Sequence, residues 1–252
     1  MRTFLILLGK ELRGFFLSPV AWVVLALFMA MSGLSFSWAV QHLADKPQGR
    51  SVVEWTFFPK WFWFYYPFLF PLLTMRLFAE EQKLGTLESL LTAPVRASQV
   101  LLAKYGAAVI FYITLWLPVL LYFAVLNWVM KGTVEFPPGA MAGCWLILLL
   151  TGLFHLALGT LASALTKNQI IAAITGFALI TLHFLIGDFL KTQAREHPVE
   201  LHSLVQHISI PEHMENFAKG LFDSRPAVYY LSFTVLLLAL THQVLEYRRW
   251  KS

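Results

Sequence analysis

The stretch "YGAAVIFYITLWLPVLLYFAVLNWVM", residues 105–130, contains no charged side chain. A hydrocarbon layer about 30 Å thick is crossed by a helix of about 20 apolar residues, so this segment is long enough to span a bilayer by itself. Helix is the form that lipid imposes on it. An unpaired backbone amide in the bilayer core costs several kcal/mol, and the alternating pattern of a barrel strand is absent. The rest of the chain agrees: its 252 residues are 58% apolar and only 13% charged, with a mean hydropathy of +0.65, far from the composition of a soluble domain. Five further segments carry the same signature, at residues 20–40, 61–79, 140–165, 170–189 and 228–245. The expected fold is therefore all-α, a single polytopic membrane domain of six transmembrane helices.

Residues 2–17 precede the first span and read differently. The apolar run from Phe4 to Leu8 is too short for a signal peptide, is interrupted by Lys10, Glu11 and Arg13, and is followed by no small-residue cleavage site. Phe4, Leu5, Leu8, Leu12, Phe15 and Phe16 can share a broad face while Arg2, Lys10 and Arg13 turn toward headgroups, the pattern of an interfacial amphipathic helix. Ser18-Pro19 breaks it and starts the first span. A plain extension of that span is the other reading.

Charge sets the orientation. With both ends on one side, that side holds eleven of the 19 basic residues and five of the 14 acids, a net +6 against −1 opposite. The positive-inside rule then puts both termini in the cytoplasm, supported by Lys167 in the tight turn "TKNQ" and by Arg248, Arg249 and Lys251. Three connections remain for the outer face: residues 41–60, the short "KGTVEFPPG" at 131–139, and residues 190–227. Trp55, Trp61, Trp63, Tyr65 and Tyr66 near the first suit an aromatic belt at headgroup depth, with a surface guiding an amphipathic substrate as the alternative. Within the third, "PEHMENFAKGLF" reads as a short helix opened at Pro211 and closed near Gly220.

Searches for chemistry are mostly negative. These residues contain no G-x-x-x-x-G-K-[ST] loop; "LLGKEL" at 7–12 lacks the upstream glycine and the strand that phosphate binding needs. Neither H-E-x-x-H nor G-x-S-x-G occurs. His197, His202, His207 and His213 crowd the third outer loop with Glu196, Glu200, Glu212 and Glu215. Spacings of five and six residues put successive histidines on different helix faces, which favours a solvated polar loop over a metal site. The single cysteine, Cys144, lies inside a span and cannot form an intramolecular disulfide.

Within the spans, His155, His183 and Asp188 need explaining, because intramembrane ionisable groups are costly and face protein or water. Three roles are open. The histidines can hydrogen-bond between helices as neutral imidazoles, they can relay protons, or all three residues can converge as acid, base or ligand of an intramembrane enzyme. Gly143, Gly152, Gly159 and Ser163 offer small surfaces for close helix approach, and Pro118 should kink the third span.

Between the second and third spans, "AEEQKLGTLESLLTAPVRASQ" at 79–99 is longer and more polar than a simple turn. The second span can continue as helix through Glu80 to Lys83. Gly85 then supplies a stop and Thr86 a cap for a new short helix. Leu87, Leu90 and Leu91 fall on one face of it, Glu88 lies elsewhere, and Pro94 ends it. Two helical turns are marginal alone in water, so the leucine face packs either on this chain or in a partner's groove. Arg76 and Arg96 are candidate own-chain partners for Glu80 and Glu81.

The longer string "EEQKLGTLESLLTAPVRASQVLLAKY", residues 80–105, resembles the signature of permease subunits of type-2 ABC transporters. That signature is an acidic pair, a basic residue, Gly-Thr, a leucine-rich short helix, Pro-Val, and a Lys opening the next span. It falls here on Glu80, Glu81, Lys83, Gly85, Thr86, Leu87, Glu88, Leu90, Leu91, Pro94, Val95 and Lys104. "KELRGFFLSPVAWVV" at 10–24 is similar to the family's N-terminal interfacial helix and first span. "FAKGLFDSRPAVYYLSF" with "LEYRRW" resembles the gliding-motility-associated branch.

The resemblance implies a homodimeric or paired permease in a bacterial cytoplasmic (inner) membrane, with both termini cytoplasmic and export as its function. It implies no catalytic residue or cofactor in this chain: ATP and Mg would be bound by two copies of a separate ABC ATPase. A large auxiliary membrane protein is a further implied partner, and nucleic acid is not. Residues 80–99 would be the element coupling the permease to its ATPase. A structural membrane subunit without transport is the reading from another class, and it requires the Leu87, Leu90 and Leu91 face to pack internally.

Overall fold

A computed structural model describes residues 2–45, 51–57, 59–92, 95–132, 134, 136–193 and 207–251. These form α1 (Arg2–Phe16), α2 (Pro19–Asp45), α3 (Val52–Phe57), α4 (Lys60–Thr74), α5 (Ala79–Leu84), α6 (Thr86–Thr92), α7 (Ala97–Val129), α8 (Pro138–Leu165), α9 (Gln169–Gln193), α10 (Ile210–Ala218) and α11 (Ser224–Lys251). No strand occurs among the described residues. Proline opens α2 and α8, where its missing N–H leaves no bond unmade, and Asn168 starts α9 by accepting the Ile170 amide at 2.9 Å.

Five helices are long and apolar enough to cross a membrane: Pro19–Ala44, Ala97–Val129, Pro138–Leu165, Gln169–Leu190 and Ser224–Arg249. The expected second span differs. Rather than continuing through Lys83, α4 stops at Thr74 after 15 residues containing Pro67 and Pro71, and Met75–Phe78 form a turn before α5. Fifteen residues of helix measure about 22 Å, short of the hydrocarbon layer. The helix can end there because another helix satisfies the backbone groups it frees. The Ser163 hydroxyl of α8 accepts from the Phe78 and Ala79 amides, each at 3.1 Å, and donates to the Met75 carbonyl.

The bundle is built around α8. Its membrane window is 67% buried within the chain, against 22–33% for the other four long helices. Helices in lipid gain little from hydrophobic burial against one another, so close packing on small residues carries the association. Three glycines of α8 supply it. A Cβ at Gly143 would collide with the Phe217 backbone of α10, one at Gly152 with the Tyr112 ring of α7, and one at Gly159 with Thr74 of α4.

α4 runs parallel to α8 in steps of four residues on both. Tyr66 hydrogen-bonds Thr151 at 3.0 Å, Phe70 meets the His155 ring at 4.9 Å, Thr74 sits on Gly159, and Phe78 meets Ser163. α7 is antiparallel to α8, its Tyr105 and Tyr112 hydroxyls donating to the Leu153 and Leu148 carbonyls. α7 continues through Pro118 as one helix.

The aromatic residues expected at a headgroup belt do not form an exposed one. Trp55, Trp63 and Tyr66 are buried, and Tyr65 is partly buried; the Trp61 side chain lies outside the described residues. The segment between α2 and α4 folds inward as α3, placing Phe57 and Phe62 against Trp116. Tyr66, Phe70 and Tyr112 extend the same interior. This many aromatic rings in one region serve as core packing.

Candidate coupling site

The charged segment after α4 is fixed from several sides. Gly85, at φ 71°, takes the left-handed conformation that ends α5 and lets α6 start at once. Thr86 is itself the first residue of α6, and its hydroxyl donates back to the Glu81 carbonyl at 3.4 Å. It closes the preceding helix and does not cap the next one, the role expected of it from the sequence.

Glu81 faces Lys104 of α7 at 2.9 Å, and Lys104 also lies 3.0 Å from Glu11 of α1. Lys10 completes a quartet of two cations and two carboxylates, 3.6 Å from Glu81 and 3.9 Å from Glu11. Lys104 is only 3% exposed. A lysine buried that far is tolerated because two carboxylates balance it, and the Phe78 ring lies 5.6 Å from its ammonium. The acidic pair therefore does not bind Arg76 or Arg96. Arg76 donates to the Ser18 hydroxyl at 2.8 Å, and the Arg96 backbone takes part in capping α7 with Gln99. Arg13 is exposed on α1.

Two contacts that sequence reading did not single out complete the frame. The Gln82 side chain donates to the Ala164 carbonyl at 3.0 Å, and Arg248 of α11 donates to the same carbonyl at 3.1 Å. A glutamine in a charged loop carries no signal that its partner is the end of a distant helix. α1, α5, the start of α7, and the C-terminal ends of α8 and α11 consequently gather at one end of the bundle.

The leucine face of α6 points inward: Leu87 is 3% exposed, and Leu90 and Val95 pack partly buried against the core. The Leu91 side chain and Pro94 lie outside the described residues. Lys83, Leu84, Thr86 and Glu88 face out, with Leu84 67% exposed.

The structure brings His155 and His183 together, 3.2 Å apart between α8 and α9, and Tyr229 of α11 bonds the second imidazole nitrogen of His183 at 3.1 Å. Both histidines are buried. Asp188 is exposed and takes no part, so the triad of an intramembrane enzyme does not assemble. In the third outer loop, His213 is buried in α10 against the Tyr230 hydroxyl at 2.9 Å and His207 is exposed. His197 and His202, with Glu196 and Glu200, lie outside the described residues. No cluster able to hold a metal occurs among the described ones.

An all-helical bundle with several bilayer-length helices around a glycine-lined centre has the form of a multi-pass membrane component. The family model described as ABC-2 family transporter protein matches residues 17–186, two thirds of the chain. The chain belongs to the ABC-2 transporter family. No curated protein matches it significantly along its sequence. As an ABC-2 chain it is a permease subunit of an ABC transporter, the transport component of a family whose permeases pair with an ABC ATPase. The family match includes α4 to α7 and thus the coupling segment, while α10 and α11 lie beyond it.

Proposed function

We propose that this ABC-2 permease forms the membrane path of an exporter and that α5 and α6 receive the movement of the ATPase. In this reading α4 is the sixth crossing, shortened by its turn at Met75–Phe78, and both termini are cytoplasmic. The permease works as a pair with two ATPase copies that bind ATP and Mg. The C-terminal pattern supports a gliding-motility-associated relative with a large auxiliary membrane protein, in a bacterial inner membrane.

The observation that carries the reading is Lys104 held between Glu11 and Glu81. One buried side chain joins the coupling segment, the N-terminal helix and the longest helix of the bundle, so a push on α5 is transmitted to α1 and α7 together. Ser163 and Ala164 make the corresponding link to α8. Coupling through contiguous packed and hydrogen-bonded elements of this kind is mechanically direct. The exposed edge of Lys83, Leu84, Thr86 and Glu88 is the surface offered to the ATPase.

The test is co-purification with the ATPase encoded beside this chain. Leu84→Asp combined with Glu88→Lys should weaken the complex about tenfold, the scale of a lost interface anchor, while insertion and detergent stability are retained. Undiminished co-purification together with undiminished ATPase stimulation would refute the docking role.

A further inference from the structure

We propose that an open cleft lined by α1, α4, α5 and α7 holds the headgroup of a phospholipid in which a phosphate is joined to a primary ammonium. The cleft measures about 340 Å³, roughly tenfold the volume of one water in the liquid, and so has the scale of a headgroup. Phe15, Leu73 and Leu77 form its apolar wall, and the Lys104 quartet together with Arg76 and Glu80 its polar one.

Two of these polar groups are left over from the protein's own ion pairing. Lys104 and Lys10 are engaged by Glu11 and Glu81, which leaves Arg76 and Glu80. Arg76 bonds the Ser18 hydroxyl, and no described carboxylate lies within ion-pair distance of it. Glu80 pairs with no described cation. Beside that quartet, the Arg76 guanidinium and the Glu80 carboxylate thus face one cleft without pairing with each other, which is the complement of a ligand carrying both signs. Arginine suits a phosphate by its forked donors, and the carboxylate suits a cation.

The Glu80 carboxylate selects the cation. It accepts N–H bonds, which a primary ammonium offers and a trimethylammonium lacks. A purely anionic headgroup would leave Glu80 uncompensated. A lipid, and not a soluble phosphoester, is indicated by what borders the cleft. It lies where the apolar helices α4 and α7 meet the charged end of the bundle, and Phe15, Leu73 and Leu77 give it an apolar wall for acyl chains beside the charged one. Leu84 lines this cleft as well as the surface proposed for the ATPase, so lipid binding is read without ATPase and through Arg76 and Glu80, and either reading can fail alone.

The experiment uses the full chain purified in detergent without ATPase, given equimolar phosphatidylethanolamine and phosphatidylcholine of identical acyl chains, with bound lipid counted by native mass spectrometry. Phosphatidylethanolamine should be retained about tenfold over phosphatidylcholine, the discrimination of one hydrogen bond to a charged group. Glu80→Gln and Arg76→Gln should each bring the ratio close to unity, while Glu215→Gln, on α10 at the opposite end of the bundle, preserves it. Glu80 makes no contact whose loss would unfold the protein, so its variant remains informative if the Arg76 one is unstable. Equal retention of the two lipids by the unaltered protein, or a full preference surviving Glu80→Gln, would overturn the proposal. Displacement of the lipid by soluble glycerophosphoethanolamine at comparable concentration would assign the cleft to a soluble phosphoester and overturn it likewise.

Discussion

Thr74 of α4 rests directly on Gly159 of α8, close enough that a Cβ on the glycine would collide with the threonine side chain. The contact falls at the last turn of α4, immediately before the chain leaves helical geometry. Gly159→Val should therefore prevent α4 from seating, with loss of the monodisperse peak in fluorescence-detected size exclusion. Gly9→Ala is the matched control, because a Cβ there meets nothing within 4 Å. It should be neutral or stabilise α1 by up to about 1 kcal/mol, the helix-propensity difference.

Ser163→Ala should expose the turn after α4. The substitution removes the acceptor of two amides and the donor to Met75, at about 1–3 kcal/mol for each buried group left unpaired. Hydrogen exchange at the Phe78 and Ala79 amides should accelerate while exchange in the middle of α8 is unchanged. Equal protection in the variant would show that the hydroxyl does not hold the turn.

Lys104→Met should destabilise the protein by about 3 kcal/mol, because it leaves Glu11 and Glu81 facing one another without the central cation. Lys104→Arg should recover most of this. Glu11→Gln should cost less than Lys104→Met, and the two changes combined should cost less than their sum, since they remove one network. Denaturation midpoints of the four variants in one detergent give the comparison.

His155→Phe together with His183→Phe should leave transport-coupled ATPase activity within about twofold of the unaltered complex, since substitutions away from the reacting groups act mainly through stability. The pair is enclosed by Phe70, Phe154 and Tyr229, and two more aromatic rings fit that setting. Abolished activity in a stably folded double variant would restore a proton-relay role.

Much of this architecture can be read from local pattern. Ser18-Pro19 marks the junction of α1 and α2, Gly85 the end of α5, and Gly143, Gly152 and Gly159 the close approaches to α8, because each reports on its own few residues. What escapes is whatever depends on a distant partner. Nothing near Thr74 announces that α4 stops there, since the group that makes stopping possible is Ser163, far along the chain. The leucines of α6 show that something covers them, but periodicity is silent on whether the cover is a partner or the same chain, and Leu87 is covered in cis. Likewise a lone Lys104 at the edge of an apolar run signals that it needs counter-charges, while the identity of Glu11 and Glu81 emerges only from the fold. Trp55, Trp63 and Tyr66 have the composition of a headgroup belt, yet α3 carries Trp55 inward and α4 packs Trp63 and Tyr66 against α9 and α8.

The central claim is that the outer edge of α5 and α6 meets the ATPase. Cys144 is the only cysteine and is buried, so Cys144→Ser provides a background in which one introduced thiol reports one position. With Leu84→Cys carrying a short photoactivatable cross-linker, the assembled transporter should yield a covalent adduct between permease and ATPase whose amount changes between the ATP-bound and nucleotide-free states. The same label at Leu121→Cys, on the exposed face of α7, should yield none. A complex that forms and hydrolyses ATP normally but gives no adduct from position 84 in either state would contradict the account.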